Sequence, residues 1–273
     1  MNTKPNVILI LTDDHGWDDA GFNGNKLIET PNLDKFASGG SVQFQNFYAI
    51  PVCAPTCAGI LTGRHYLRTG VYHVHGGGDF MYPDEIMMVE WFKANGYSTG
   101  MWGKWHSGKT TGYFPWERGF DEAYMAHFYR HKDSIGDFNG SRCIHSGWMT
   151  VDTITDYAID FITRKKAIFL LLSLILLFTS PWFAQKNLLK NTKEKRCPIF
   201  LLKYMEWLSN SMKISAESYR RLLNLAFKNK RFWYFWVTTV RNISGTNLWA
   251  LKTMPWDIHQ EWKGIRDQCG KME

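Results

Sequence analysis

The sequence holds no apolar run long enough to cross a bilayer. Its longest, residues 167–178, is twelve residues and apolar except for Ser173, whereas a spanning helix needs about twenty. Extending the run to residue 184 takes in Thr179, Ser180 and Pro181. Basic flanks at 164–166 and Lys186 leave membrane contact by 167–184 as the lesser reading, and a buried sheet strand as the preferred one. An even cysteine framework is also missing: the five cysteines, at 53, 57, 143, 197 and 269, contain no CxxC pair. That excludes a disulfide scaffold and the common structural zinc patterns, and leaves the redox compartment open. No secretory leader is evident, because the first apolar stretch is seven residues at most and passes straight into acidic residues. Either the chain is cytosolic or a leader is absent from it.

Glycine is scarce in one place only. Of the 23 glycines, Gly245, Gly264 and Gly270 alone follow residue 166. Charge divides at the same point: residues 1–166 hold 15 Lys/Arg against 18 Asp/Glu, a net of −3, and residues 167–273 hold 17 against 7, a net of +10. The overall +7 therefore averages two compositions joined end to end. We divide the chain into a first region, 1–166, and a basic, glycine-poor tail, 167–273. A basic, tryptophan-rich tail is compatible with nucleic acid or an anionic surface. Nothing in the first 166 residues supports nucleic-acid binding, and none is expected. An abrupt change of composition inside a domain is what a reading-frame shift produces, so much of the tail is expected to be out of frame or decayed.

What is present is an alternation of strands and helices. Residues 7–11 form an unbroken β-branched and leucine run, the pattern of a strand covered on both faces. It ends in Asp13-Asp14-His15-Gly16. Ligands of open α/β sheets sit beyond the carboxyl ends of strands, so this acidic pair is a candidate site for a hard cation, with a solvated Asx turn as the alternative. Thr30 and Pro31 predict a capped helix start closed by Gly39-Gly40, and 42–48 reads weakly as a strand.

Residues 53–64, CAPTCAGILTGR, place Cys53 at the first turn of a helix, where the positive end of the macrodipole suits an anion. A buried structural cysteine is the alternative. Ala58, Ile60 and Leu61 are expected to face a core. Gly76 to Gly78 break the chain, and His65, His73 and His75 read as loop histidines. Residues 83–95 are predicted helical, with Met88, Trp91 and Phe92 on one face and Gly96 at its end. Residues 97–102 are the next strand, followed by Gly103-Lys104-Trp105-His106; residues two apart in extended chain point the same way, so Lys104 and His106 can meet one anion. A helix over 152–163 turns Ile154, Ala158, Phe161 and Ile162 inward. The alternation predicts an α/β fold with a largely parallel sheet flanked by helices, incomplete at its C-terminal end.

Three of these stretches, in order and spacing, resemble the sulfatase family of the alkaline phosphatase superfamily. The opening strand ends in an acidic pair like the family's first metal ligands. Cys53-Ala54-Pro55-Thr56 with Thr62-Gly63-Arg64 is similar to the first signature, C-x-P-S/T-R followed by T-G-R. Residues 96–106, GYSTGMWGKWH, match the second, G-Y-x-T-x-x-x-G-K-W-H. The likeness covers roughly three fifths of the chain.

The resemblance implies a sulfuric ester hydrolase of arylsulfatase type acting on an aryl or carbohydrate sulfate. Family members are often periplasmic, secreted or lysosomal. It implies that Cys53 is the precursor of a formylglycine whose hydrate attacks sulfur with one hydroxyl and expels sulfate with the other. Asp13 and Asp14, with residue 53, would bind Ca2+ or Mg2+. Lys104 would hold sulfate oxygens, and His106 would hydrogen-bond the diol and act as a base. A phosphoester or phosphonate hydrolase of the same superfamily is a further alternative. The chain departs from the pattern at position 57, where cysteine stands in place of the signature's arginine, and after residue 166, where no Asp-Asn-Gly or Asp-His-Gly occurs. Cysteine cannot supply a guanidinium fork, so the sequence also predicts an inactive relative or fragment in which Cys53 stays a thiol.

Overall fold

A computed structural model describes residues 5–13, 17, 20–26, 30–39, 41–44, 48–50, 52–127, 132–165, 168–174 and 232–238. Its centre is a seven-stranded sheet built from β1 (Asn6–Thr12), β2 (Ser98–Gly103), β3 (Glu122–Ala126), β4 (Lys132–Phe138), β5 (Ser141–Met149), β6 (Ile168–Leu174) and β7 (Phe232–Thr238). The strand order is β5-β4-β3-β2-β6-β1-β7. β1 pairs in parallel with β6 and β7, and β2 in parallel with β3 and β6. Only the β3–β4 and β4–β5 pairs are antiparallel. The predicted largely parallel sheet is therefore present, with an antiparallel hairpin added at one edge. The apolar stretch after residue 166 is a central strand, β6, seated between β1 and β2.

Both faces of β1 are covered, which is why residues 7–11 are all apolar. Ile8 and Ile10 face a core shared with α1 (Pro31–Ser38) and α4 (Thr150–Arg164). Val7, Leu9 and Leu11 face the other core, shared with α2 (Cys53–Thr62) and α3 (Met88–Ala94). The four residues of α4 expected to turn inward, Ile154, Ala158, Phe161 and Ile162, are all buried. Gly100 is a residue of close approach: a Cβ there would run into the Trp102 ring and come within 3.2 Å of Phe161.

Three local expectations need correction. α3 begins at Met88, not near Pro83; Met87 is its N-cap, and the Glu90 carboxylate accepts from the Met87 N–H at 2.7 Å. A Glu at the third helical position outweighs a proline five residues earlier. On that short helix Val89 is the buried residue, while Trp91 is 55% exposed. Residues 41–44 form no strand, and Tyr48 makes an isolated bridge only. The Thr30 hydroxyl does not cap α1: it donates to Asp34 Oδ1 at 2.7 Å and accepts from the Gly21 N–H at 2.8 Å.

The Trp102 and Phe161 rings meet with centroids 4.9 Å apart, and the buried Trp102 Nε1–H has no hydrogen-bond partner among the described residues. Phe161→Ala should therefore lower unfolding free energy by about 3–5 kcal/mol. Trp102→Phe, which also removes the unpartnered donor, should lower it by only about 1 kcal/mol. Urea unfolding followed by circular dichroism ranks the two, and equal losses would contradict this packing.

Candidate active site

The carboxyl ends of the parallel strands share one edge of the sheet, and the predicted residues gather there. Asp13 follows β1, and Lys104 follows β2. Gly103, with φ at +118°, turns the chain out of β2 in a conformation that a side chain would resist. The Lys104 ammonium then donates to Asp13 Oδ2 at 2.7 Å, with both side chains under a tenth exposed. Burial opposes the Lys104 charge, but Asp13 and the two nearby cysteines outweigh it and push its pKa above the ordinary lysine value. Trp105 anchors the segment by donating from Nε1 to the Tyr113 carbonyl at 2.9 Å and packing edge-on against Phe120.

Cys53 is the first residue of α2, after Val52 in extended conformation. The Thr56 hydroxyl lies near the Ile50 carbonyl, 2.7 Å, and the Val52 carbonyl, 2.9 Å, and so holds the incoming chain against the helix start. Cys53 Sγ lies 3.3 Å from His106 Nδ1. The other ring nitrogen, Nε2, lies 3.3 Å from the Val74 carbonyl. A carbonyl can only accept, so Nε2 carries the proton and Nδ1 presents a lone pair to residue 53. Burial, followed by the positive charge of Lys104, pushes the His106 pKa down to about 3. At neutral pH the imidazole is an uncharged acceptor poised over the helix start, the arrangement of a general base.

Arg64 does not reach this centre. It pairs with buried Glu85, whose backbone carbonyl also accepts from Arg118 at 3.0 Å. The Thr-Gly-Arg segment thus fastens the end of α2 to the 81–87 loop. Two further residues approach the centre: Lys109, which no motif singles out, and His75, read above as a loop histidine. Lys109 has its pKa pushed down to about 8, chiefly by burial and also by Lys104, against opposing effects of Asp79 and Cys53. His75 is close enough to His106 to disfavour its protonation. Both sit on loops whose path only the tertiary fold sets, and neither has a signature spacing.

The site residue Asp14 lies outside the described residues. Asp13 supplies a buried carboxylate oxygen, the donor type that Ca2+ or Mg2+ prefers. Among the described residues no group of three or more His, Cys, Asp or Glu side chains is arranged to hold a metal ion.

Cys57 follows Cys53 by one helical turn and is 7% exposed in the core under α2. Burial pushes its thiol from the ordinary 9.0 up to about 12, with Lys104 opposing and Cys53 and Asp13 reinforcing. Above pH 9.0 the unfolded chain releases this proton while the folded chain retains it, so stability falls as pH rises towards about 12. The slope is about 1.4 kcal/mol per pH unit. Under reducing conditions, Cys57→Ala should remove that alkaline slope; urea midpoints at pH 8 and 10 for both proteins measure the difference.

Comparison with known proteins bears on the family and the fold. The family model described as Sulfatase matches residues 5–197. The chain is 36% identical over 193 residues to N-acetylgalactosamine-6-sulfatase of Sus scrofa, an alignment covering 60% of this chain and 37% of that protein. It is 41% identical over 114 residues to steryl-sulfatase of Homo sapiens, covering 39% and 20%. It spans 37% and 25% of the length of the pig and mouse N-acetylgalactosamine-6-sulfatases that it matches. Among solved structures, Ps i-CgsB superposes with a TM-score of 0.72 at 22% identity, covering 92% of this chain and 66% of that one. BT4656, solved with its substrate D-glucosamine-2-N,6-O-disulfate, superposes with a TM-score of 0.69 at 18% identity, covering 91% and 71%. At these identities the superpositions show the fold.

Proposed function

Because the chain belongs to the sulfatase family, we propose that it is a sulfuric ester hydrolase of arylsulfatase type, acting at sulfur through a nucleophile at residue 53. The single observation that carries this reading is convergence: Cys53 Sγ meets His106 Nδ1 at 3.3 Å while Lys104 meets Asp13 at 2.7 Å. Those four residues come from three separate stretches of chain. The substrate class is a sulfate ester of an aryl or carbohydrate alcohol, as the names arylsulfatase G and N-acetylgalactosamine-6-sulfatase indicate for those relatives.

In this reading Cys53, converted to formylglycine, presents its hydrated carbon at the positive end of the α2 dipole. Sulfate oxygens gather negative charge there as the ester bond lengthens. His106 takes a proton at Nδ1, the nitrogen that its Val74 contact leaves unprotonated. Lys104, held by Asp13, offers its remaining ammonium hydrogens to the sulfate. Asp13, with Asp14, would hold Ca2+ or Mg2+, and such a cation draws charge from a sulfate oxygen. Lys109 stands at the rim as a further positive group below pH about 8.

A second reading is favoured by one observation: buried Cys57 occupies the position of the signature arginine. In that reading the chain binds sulfate esters with Cys53 still a thiol and does not turn them over. Mass spectrometry of the tryptic peptide that carries residue 53, 36–64 in the chain as it stands and 36–57 in Cys57→Arg, separates the two after co-expression with a formylglycine-generating enzyme. Formylglycine at residue 53 in both chains supports the hydrolase, and unmodified Cys53 in the chain as it stands with formylglycine in Cys57→Arg supports the second reading. Metal-dependent release of 4-nitrophenol from its sulfate by the unaltered chain would decide for the hydrolase and against the second reading.

Lys109 gives a test of the rim. Its ammonium is charged below about 8 and neutral above, so inorganic sulfate binding should weaken as pH rises through that value. In Lys109→Met the affinity should be lower and flat with pH. Calorimetric titration at pH 7 and 9 reads the difference, and an unchanged pH dependence in the variant would remove Lys109 from the anion site.

A further inference from the structure

Cys57 has no part in the chemistry above, yet it lies one turn from the nucleophile. We propose that Cys53 and Cys57 form a redox-active dithiol that closes to an intrahelical disulfide when a peroxide oxidises Cys53. The inference concerns the encoded thiols and does not rest on sulfate ester hydrolysis.

Residues four apart on a helix lie on one face with Cβ atoms about 5–6 Å apart. A disulfide needs about 3.5–4.5 Å, so the gap is small and the first turn is where it can close. Cys53 opens α2, and Val52 before it is extended at φ −145° and ψ 133°, so residue 53 is held in helical conformation from one side only. Pro55, inside the turn, has no N–H to lose. The first hydrogen bond of the turn, Thr56 N–H to the Val52 carbonyl, is 3.2 Å long.

The two thiols are unequal in a way that assigns their roles. Both are free. Cys53 is half-buried, and its sulfur has His106 Nδ1 within 3.3 Å to accept its proton. Cys57 is 7% exposed, so a peroxide from solvent meets Cys53 first.

The chemistry balances in two steps. The Cys53 sulfur attacks one peroxide oxygen; the O–O bond breaks, and the departing hydroxide takes the thiol's proton, leaving a sulfenic acid and water. The Cys57 sulfur then attacks the Cys53 sulfur; the S–S bond forms, the S–O bond breaks, and hydroxide leaves with the Cys57 proton as a second water. Two electrons pass from the thiols to the peroxide.

The test uses the full chain, reduced, desalted and treated with an equimolar amount of hydrogen peroxide before alkylation with iodoacetamide and digestion with trypsin. Peptide 36–64 contains Cys53 and Cys57 and none of Cys143, Cys197 or Cys269. We expect it to lose the mass of two hydrogens, to take up no alkylating group, and to regain both thiols on treatment with a phosphine. In Cys57→Ser one equivalent of peroxide should stop the reaction at a sulfenic acid trapped by dimedone, and with peroxide in excess Cys53 should pass on to sulfinic acid about tenfold faster than in the parent chain. Alkylation of both cysteines after peroxide overturns the proposal, as does a disulfide from Cys53 to another cysteine or an equal sulfinic yield in parent and variant. The parent-chain arm needs no substitution and decides the question by itself.

Discussion

The buried pair of Lys104 and Asp13 is the contact on which the site depends. Its two residues follow β2 and β1, which are not neighbours: β6 lies between them. Two strand spacings separate the parents by about 9–10 Å, so the lysine must reach across the carboxyl end of β6 to touch the aspartate. The reach works only because all three strands run in parallel and end on one edge. With both side chains buried, losing either would leave an uncompensated charge, at a cost of about 3–5 kcal/mol. The pair thus ties site geometry to sheet order, and it requires β6, a strand from beyond the point at which the sequence changes composition.

Much of this was legible from residue pattern. An unbroken apolar run predicts β1, because a strand buried on both faces has no polar side. The 3.6-residue spacing of Ile154, Ala158, Phe161 and Ile162 predicts α4, and a proline-bearing start with small apolar residues predicts α2. Other elements carry weaker local signals. β4 and β5 include Ser, Asp, Gly and His at positions that a parallel interior strand would give to Val or Ile, because the β4–β5 hairpin forms an edge with one solvated side. β7, seven residues that are all aromatic or β-branched, sits in a segment set aside on composition. The approach of Lys109 and His75 to the centre depends on loop paths, which no periodicity encodes.

The signature residues divide into those that meet the reacting position and those that hold the frame. Cys53 and His106 meet there. Thr56, Arg64 and Trp105 tie α2 and the chain after β2 to their surroundings by hydrogen bonds to backbone or to Glu85. Arg64 illustrates the difference. Half its side chain is in solvent and its partner is 5% exposed, so it serves to neutralise a buried carboxylate rather than to bind an anion.

Charge balance then makes position 57 decisive. Asp13 and Lys104 cancel, His106 is neutral at physiological pH, and Cys57 is an uncharged thiol. These four groups together carry no net charge. An arginine at 57 would add one fixed positive charge beside Asp13 and Cys53, in surroundings of low dielectric where a single charge acts strongly. Without it, attraction for a sulfate must come from the α2 dipole, from Lys109 at the rim and from any cation held at Asp13. The same substitution that removes a charge adds a second sulfur to the first turn of α2. One residue change therefore weakens the site's hold on an anion and opens a redox chemistry to the cysteine that remains.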